Sequence, residues 1–157
     1  MPRLRELLAA DGALDDVSTY IASGNIICAH PSDPEAACTR VRGLIAAEFD
    51  VDTPVILRTH DSLAKSLATQ PFPDPAERLL HAMFLEGRPR PGAVDALRDR
   101  LVPGEEIALI GTELWINYPD SGVHSSRLTK AVLDRALGVA GTARNLRTVR
   151  KLADLTA

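Results

Sequence analysis

Aromatic side chains make up only 4% of this 157-residue chain, so its core must be aliphatic and a broad base-stacking platform is excluded. Cysteine is nearly absent too. Cys28 and Cys38 lack the paired spacing of a metal site and read as buried free thiols in a reducing compartment. No apolar run nears the roughly 18 residues of a membrane span, and the amino terminus lacks a basic-then-apolar signal pattern, so the expectation is a cytoplasmic protein with no membrane partner. Positive charge is not in excess: 18 Lys and Arg against 21 Asp and Glu give a net charge of −3, which argues against a dedicated nucleic-acid binder. No phosphate-loop or dinucleotide fingerprint occurs, and His30, His60, His81 and His124 are dispersed, so no metal and no cofactor is expected.

What remains is ordinary globular material. Hydrophobic residues are 45% and charged residues 25%, enough for one domain or two small packed halves. The chain opens on a helix carrying Leu4, Leu7 and Leu8, ended by Asp11-Gly12. Val17 to Ala22 and Ile26 to Ala29 read as a hairpin about the turn Ser23-Gly24-Asn25. Asp33 caps a helix with Pro34 at its first position and Ala37, Val41, Leu44, Ile45 and Phe49 as its apolar stripe. Pro54 to Arg58 reads as a short strand, and Asp61 caps a helix through Leu67. Three prolines in Gln70 to Ala76 stop regular structure.

Beyond them come a strand from Leu79 to Leu85, a helix from Gly92 to Leu101, and a hairpin of Glu105 to Ile110 with Glu113 to Tyr118 about Gly111-Thr112. A helix from Ser125, a short strand near Thr142 and a terminal helix complete the chain. Strand-helix-strand-strand-helix-strand is the ferredoxin-like order. The expected fold is therefore α+β with two tandem ferredoxin-like βαββαβ halves, the first missing its opening strand: residues 1–70, a proline-rich linker at 71–78, and residues 79–157 with the C-terminal helix. Alternation places Trp115 and Tyr118 on opposite faces of their strand, making one of them a core residue, and the carboxylate pair Glu105-Glu106 reads as a solvated strand end.

The densest chemistry lies between Gly122 and Leu152. Ser125 and Ser126 precede an apolar helical repeat, so one of them is expected to cap that helix, with Gly138 stopping it. A helix start carries unpaired amides and partial positive charge, and Arg127 and Lys130 add full charges there. Arg144, Asn145 and Arg147 follow one connection later, with Asn145 as the expected cap of the terminal helix. The ligand-binding set is Ser125, Ser126, Arg127, Lys130, Arg144, Asn145 and Arg147, and its ligand a phosphate- or carboxylate-bearing small molecule. Capping serines and solvated arginines are common where nothing binds; the concentration of cations in a mildly acidic chain is what sets this stretch apart. His124, beside the two serines, is the catalytic candidate of an alternative, acyl or phosphoryl transfer at the same anion site. A nucleic-acid or protein-binding scaffold is a third reading, from fold analogy.

Tyr20-Ile21-Ala22-Ser23-Gly24-Asn25-Ile26-Ile27, Leu80-His81-Ala82-Met83-Phe84-Leu85, Ser126-Arg127-Leu128-Thr129 and Thr142-Ala143-Arg144-Asn145 together resemble the bacterial domain-of-unknown-function 1697 family, in order over nearly the whole chain. The resemblance implies membership and no particular activity. Two departures stand out: an opening strand and glycine-rich loop usual in that family are missing, and Leu146 stands where its members usually carry tryptophan. A missing strand would expose a sheet edge, so either the start is assigned too late or a homodimer covers the gap.

Overall fold

The structure, a computed structural model, describes residues 2–21 and 24–157. The chain is α+β with two separate antiparallel sheets, and its contacts divide it into one unit ending at Thr59 and a second running from His60 to Leu155.

In the first unit, α1 (Pro2–Asp11) buries Leu4 and Leu8, one helical turn apart, and stops at Gly12, whose φ of +74° suits a residue without Cβ. β1 (Ser18–Tyr20) pairs with β2 (Asn25–Ile27), Thr19 opposite Ile26. The expected hairpin is present; Ala22, expected at the end of its first strand, and Ser23, expected in its turn, lie outside the described residues. Asn25 fixes the hairpin by donating from Nδ2 to the Tyr20 carbonyl at 3.0 Å. α2 (Pro34–Phe49) starts as the sequence predicts, with Asp33 Oδ1 accepting from the Ala36 amide at 3.1 Å and Pro34 at the first position. The two helices bury Leu4, Leu8 and Val41, with Ile26, Leu44 and Val55 packed against them. Pro54 to Arg58 was expected to be a strand and is not one: the segment joins no ladder among the described residues, Pro54 has no amide to donate, and Val55 packs against the core of the first unit.

The second unit is built on a four-stranded sheet of order β4-β5-β3-β6, from β3 (Leu80–Leu85), β4 (Glu106–Ile110), β5 (Glu113–Asn117) and β6 (Gly141–Asn145). Every neighbouring pair is antiparallel. On one face α4 (Ala93–Arg98) and α5 (Lys130–Leu137) close a core of Met83, Leu85, Leu97, Leu114, Ile116 and Leu137. The pleat sends Leu80, Ala82, Phe84 and Trp115 to the other face, where α3 (His60–Thr69) packs along α6 (Leu146–Leu155). His60 Nδ1 lies 2.9 Å from the Ala153 carbonyl oxygen, tying the start of α3 to α6, and the Ser66 hydroxyl meets the Glu113 carboxylate of β5.

Trp115 and Tyr118 are both buried, at 0% and 7% exposure, which corrects the expectation of a single core residue between them. Helices on both faces of the sheet leave neither side of β5 to solvent.

Candidate functional site

After β5, Gly122 at φ +78° donates to the Pro119 carbonyl at 2.7 Å and leads into a single 3-10 turn, Val123–Ser125. Ser125 Oγ sits 2.8 Å from Ser121 Oγ and 3.1 Å from the Gly122 carbonyl oxygen, while Ser126 Oγ accepts from the Leu128 amide at 3.0 Å. Neither serine caps α5. The cap is Thr129, whose Oγ1 accepts from the Val132 amide at 3.3 Å, so the helix begins at Lys130. The serines stabilise the turn that delivers the chain to that cap, because Leu128 must first bury itself in the core.

The cations are held to different degrees. Arg127 is exposed and meets no carboxylate among the described residues. Lys130 Nζ pairs with Asp134 at 2.7 Å, one turn along α5. Arg144, on edge strand β6, is half-buried; its Nη1 donates to Thr142 Oγ1 at 2.6 Å and to the Ala143 carbonyl at 2.8 Å. Burial pushes the Arg144 guanidinium below its usual range, because desolvation disfavours the charged form. Asn145 Oδ1 accepts from the Thr148 amide at 2.9 Å and caps α6, as the sequence predicts. Arg147 lies 3.9 Å from Glu77, which Arg150 also engages.

Strand direction decides which of these residues meet. β5 and β6 both run antiparallel to β3, so both finish at the same end of the sheet, where α5 and α6 start. Arg144 stands opposite Ala82, which stands opposite Trp115, on the face covered by α3 and α6. α5 covers the face bearing Met83 and Leu114. Arg144 and the start of α5 thus belong to opposite faces of the sheet, and no hydrogen bond or ion pair among the described residues joins Ser125, Ser126, Arg127 or Lys130 to Arg144, Asn145 or Arg147. His124 is exposed and faces no orienting carboxylate among the described residues.

A titratable cluster at this end escaped the sequence. His81 and Tyr118 meet edge to face with ring centroids 5.0 Å apart, and burial, with a smaller push from the Glu105 carboxylate, raises the Tyr118 phenol to about 12. Burial also pushes His81 down. Glu105 is 6% exposed and its Oε2 has no hydrogen-bond partner among the described residues, which corrects the reading of Glu105 as a solvated strand end. The position of Glu105 just before an apolar strand was the available signal, but a carboxylate there is usually wet. Among the described residues no group of three His, Cys, Asp or Glu side chains could hold a metal ion, and no helix is long and apolar enough to cross a membrane. Cys28 and Cys38 are half-buried free thiols, and burial raises both.

The chain belongs to the family described as Protein of unknown function (DUF1697), which it matches over residues 1–115. A solved structure titled "The structure of conserved bacterial protein SP0830 from Streptococcus pneumoniae" is similar over 100% of this chain and 88% of its own, with a TM-score of 0.73 at 19% identity, a likeness of fold. No curated protein matches the sequence at a significant level.

Proposed function

We propose, starting from a family that carries no assigned activity, that the chain is a binding module for a small phosphate- or carboxylate-bearing molecule. The ligand sits where β5 and β6 finish. Arg144 carries the reading: a half-buried guanidinium on an edge strand, oriented by Thr142 and Ala143, offers a positioned charge to an anion. Arg147 stands in the first turn of α6, where the helix dipole adds partial positive charge, and Asn145 fixes the junction between strand and helix. On this reading Ser125, Ser126, Arg127 and Lys130 contribute hydroxyl groups and field from the turn and helix start that precede β6. Acyl or phosphoryl transfer through His124 gains no support, since the imidazole lacks an orienting carboxylate among the described residues.

The antiparallel order β6-β3-β5-β4, with α4 and α5 crossing one face, supports a ferredoxin-like reading of the second unit. Such a sheet presents strand ends and helix starts together, which is why the cations collect there.

The test is calorimetric titration of the protein with inorganic phosphate and with citrate. Losing a charge-assisted hydrogen bond weakens binding by about tenfold or more, so Arg144→Ala and Arg127→Ala should each lower the affinity, Arg144→Ala by the larger factor. Affinities unchanged in both variants reject the reading.

A further inference from the structure

The opposite end of the same sheet carries a second concentration of positive charge, in the connection from β3 to α4. Its sequence, Gly87-Arg88-Pro89-Arg90-Pro91-Gly92, alternates arginine with proline. Each arginine precedes a proline, so its backbone is steered to extended conformations before any ligand arrives, and each proline ring fixes its own φ. The loop borders a surface groove of about 420 Å³ whose lining includes Arg88, Arg90, Ala93, Val94, Leu109 and Gly111. That volume falls within the range of small-molecule sites.

Arg90 is seated by the end of α5. Its amide donates to the Leu137 carbonyl at 2.8 Å, and its side chain lies across Gly138: a Cβ built there would come within 2.8 Å of Arg90 Nε and 2.9 Å of Nη2. Gly138 suits its φ of +73° as the helix cap, and the Arg90 guanidinium rests in the room beside it. The partial negative charge of a helix C-terminus favours a cation at this position. Among the described residues neither Arg88 nor Arg90 forms an ion pair. Asp95, which also lines the groove, is drawn to Arg98 at 3.4 Å.

We infer that this groove is a second, separate binding site, for a small organic anion with a compact apolar body. Arg88 and Arg90 hold the phosphate or carboxylate, and Ala93, Val94 and Leu109 receive the apolar part. The inference does not depend on the reading of Arg144, which lies at the other end of the sheet.

Amide NMR of the full chain titrated with phenyl phosphate at constant ionic strength tests it. The expected result is a saturable shift of the Gly92, Val94 and Gly111 signals. Arg88→Gln and Arg90→Gln should each weaken that titration about tenfold, the loss typical of one charge-assisted hydrogen bond. Arg100→Gln and Arg144→Met should leave it unchanged. Both groove arginines are exposed, so the variants retain the fold, which the remaining signals verify in the same spectra. No saturable shift at these three amides overturns the inference. So does an unchanged titration in Arg88→Gln and Arg90→Gln, or phenol binding as tightly as phenyl phosphate, which would leave the apolar floor as the only attraction.

Discussion

Up to Thr59 the chain closes its core around Leu4, Leu8 and Val41, with one hairpin of three-residue strands; from His60 onward it buries both faces of a four-stranded sheet. The first unit relies on the touching faces of two helices, and its hairpin alone would be marginal in water. In the second, Leu80, Leu85, Leu97, Leu114, Trp115, Ile116, Leu137, Leu146 and Val149 are all fully enclosed. Burial on both sides of a sheet makes alternate positions equally costly to disturb, whereas a single helical contact leaves much of each element exchangeable. Binding residues therefore gain more from the second scaffold, whose strand ends are held by packing above and below.

The sharpest break in this comparison is a large-to-small change in each core. Trp115→Ala should remove about 3–5 kcal/mol from the second unit, the range for emptying an aromatic site. In the wild-type protein, hydrogen exchange should place the β3 amides at the global opening free energy and those of β1 and β2 several kcal/mol lower, exchanging at least about 100-fold faster. Equal protection of β3 and of the β1-β2 hairpin would mean that the units open as one block.

Next in size is the alkaline response of Tyr118. Its folded-state value, about 12, lies above the ordinary 10, so its contribution is complete below pH 10 and is lost as pH rises toward 12. The shift of about two units corresponds to roughly 2–3 kcal/mol. Denaturant midpoints of Tyr118→Phe should therefore fall less between pH 10 and 12 than those of the parent. His81 works at the other extreme: its folded-state value is depressed, so stability is undiminished above the unfolded value near 6.5 and declines as pH falls below it. His81→Gln should flatten that acid slope, and a slope unchanged by the substitution would remove His81 from the account.

Local signals in the sequence proved readable where the structure they specify is also local. Asp33 followed by Pro34, Asn145 three residues before Thr148, and Gly138 after Leu137 each name a cap satisfied within one turn. Positions decided by distant parts of the chain were not readable. Trp115 and Tyr118 look like opposite sides of a half-wet strand until α3 and α6 cover the second face. Pro54 to Arg58 has strand-like composition but joins no ladder. The seven candidate residues were expected together on chemical grounds, while the face that Arg144 takes depends on sheet register, which sequence spacing alone does not carry.

The smallest predicted effect separates two accounts of where α5 begins. If Thr129 supplies the cap, Thr129→Ala should cost about 1 kcal/mol, as should Asp33→Ala at the start of α2. Ser125→Ala removes only contacts within an exposed turn and should change stability by less than about 0.5 kcal/mol. Chemical denaturation of the three variants decides the matter. A loss at Ser125 equal to that at Thr129 would place the effective start of the helix four residues earlier and bring the amides of the serine turn into it. Arg127 would then lie inside the first turn of α5, and the positive field at that end of the sheet would be concentrated on the serines. With the cap at Thr129, the field is centred on the amides following Lys130, and the serines stand outside the helix.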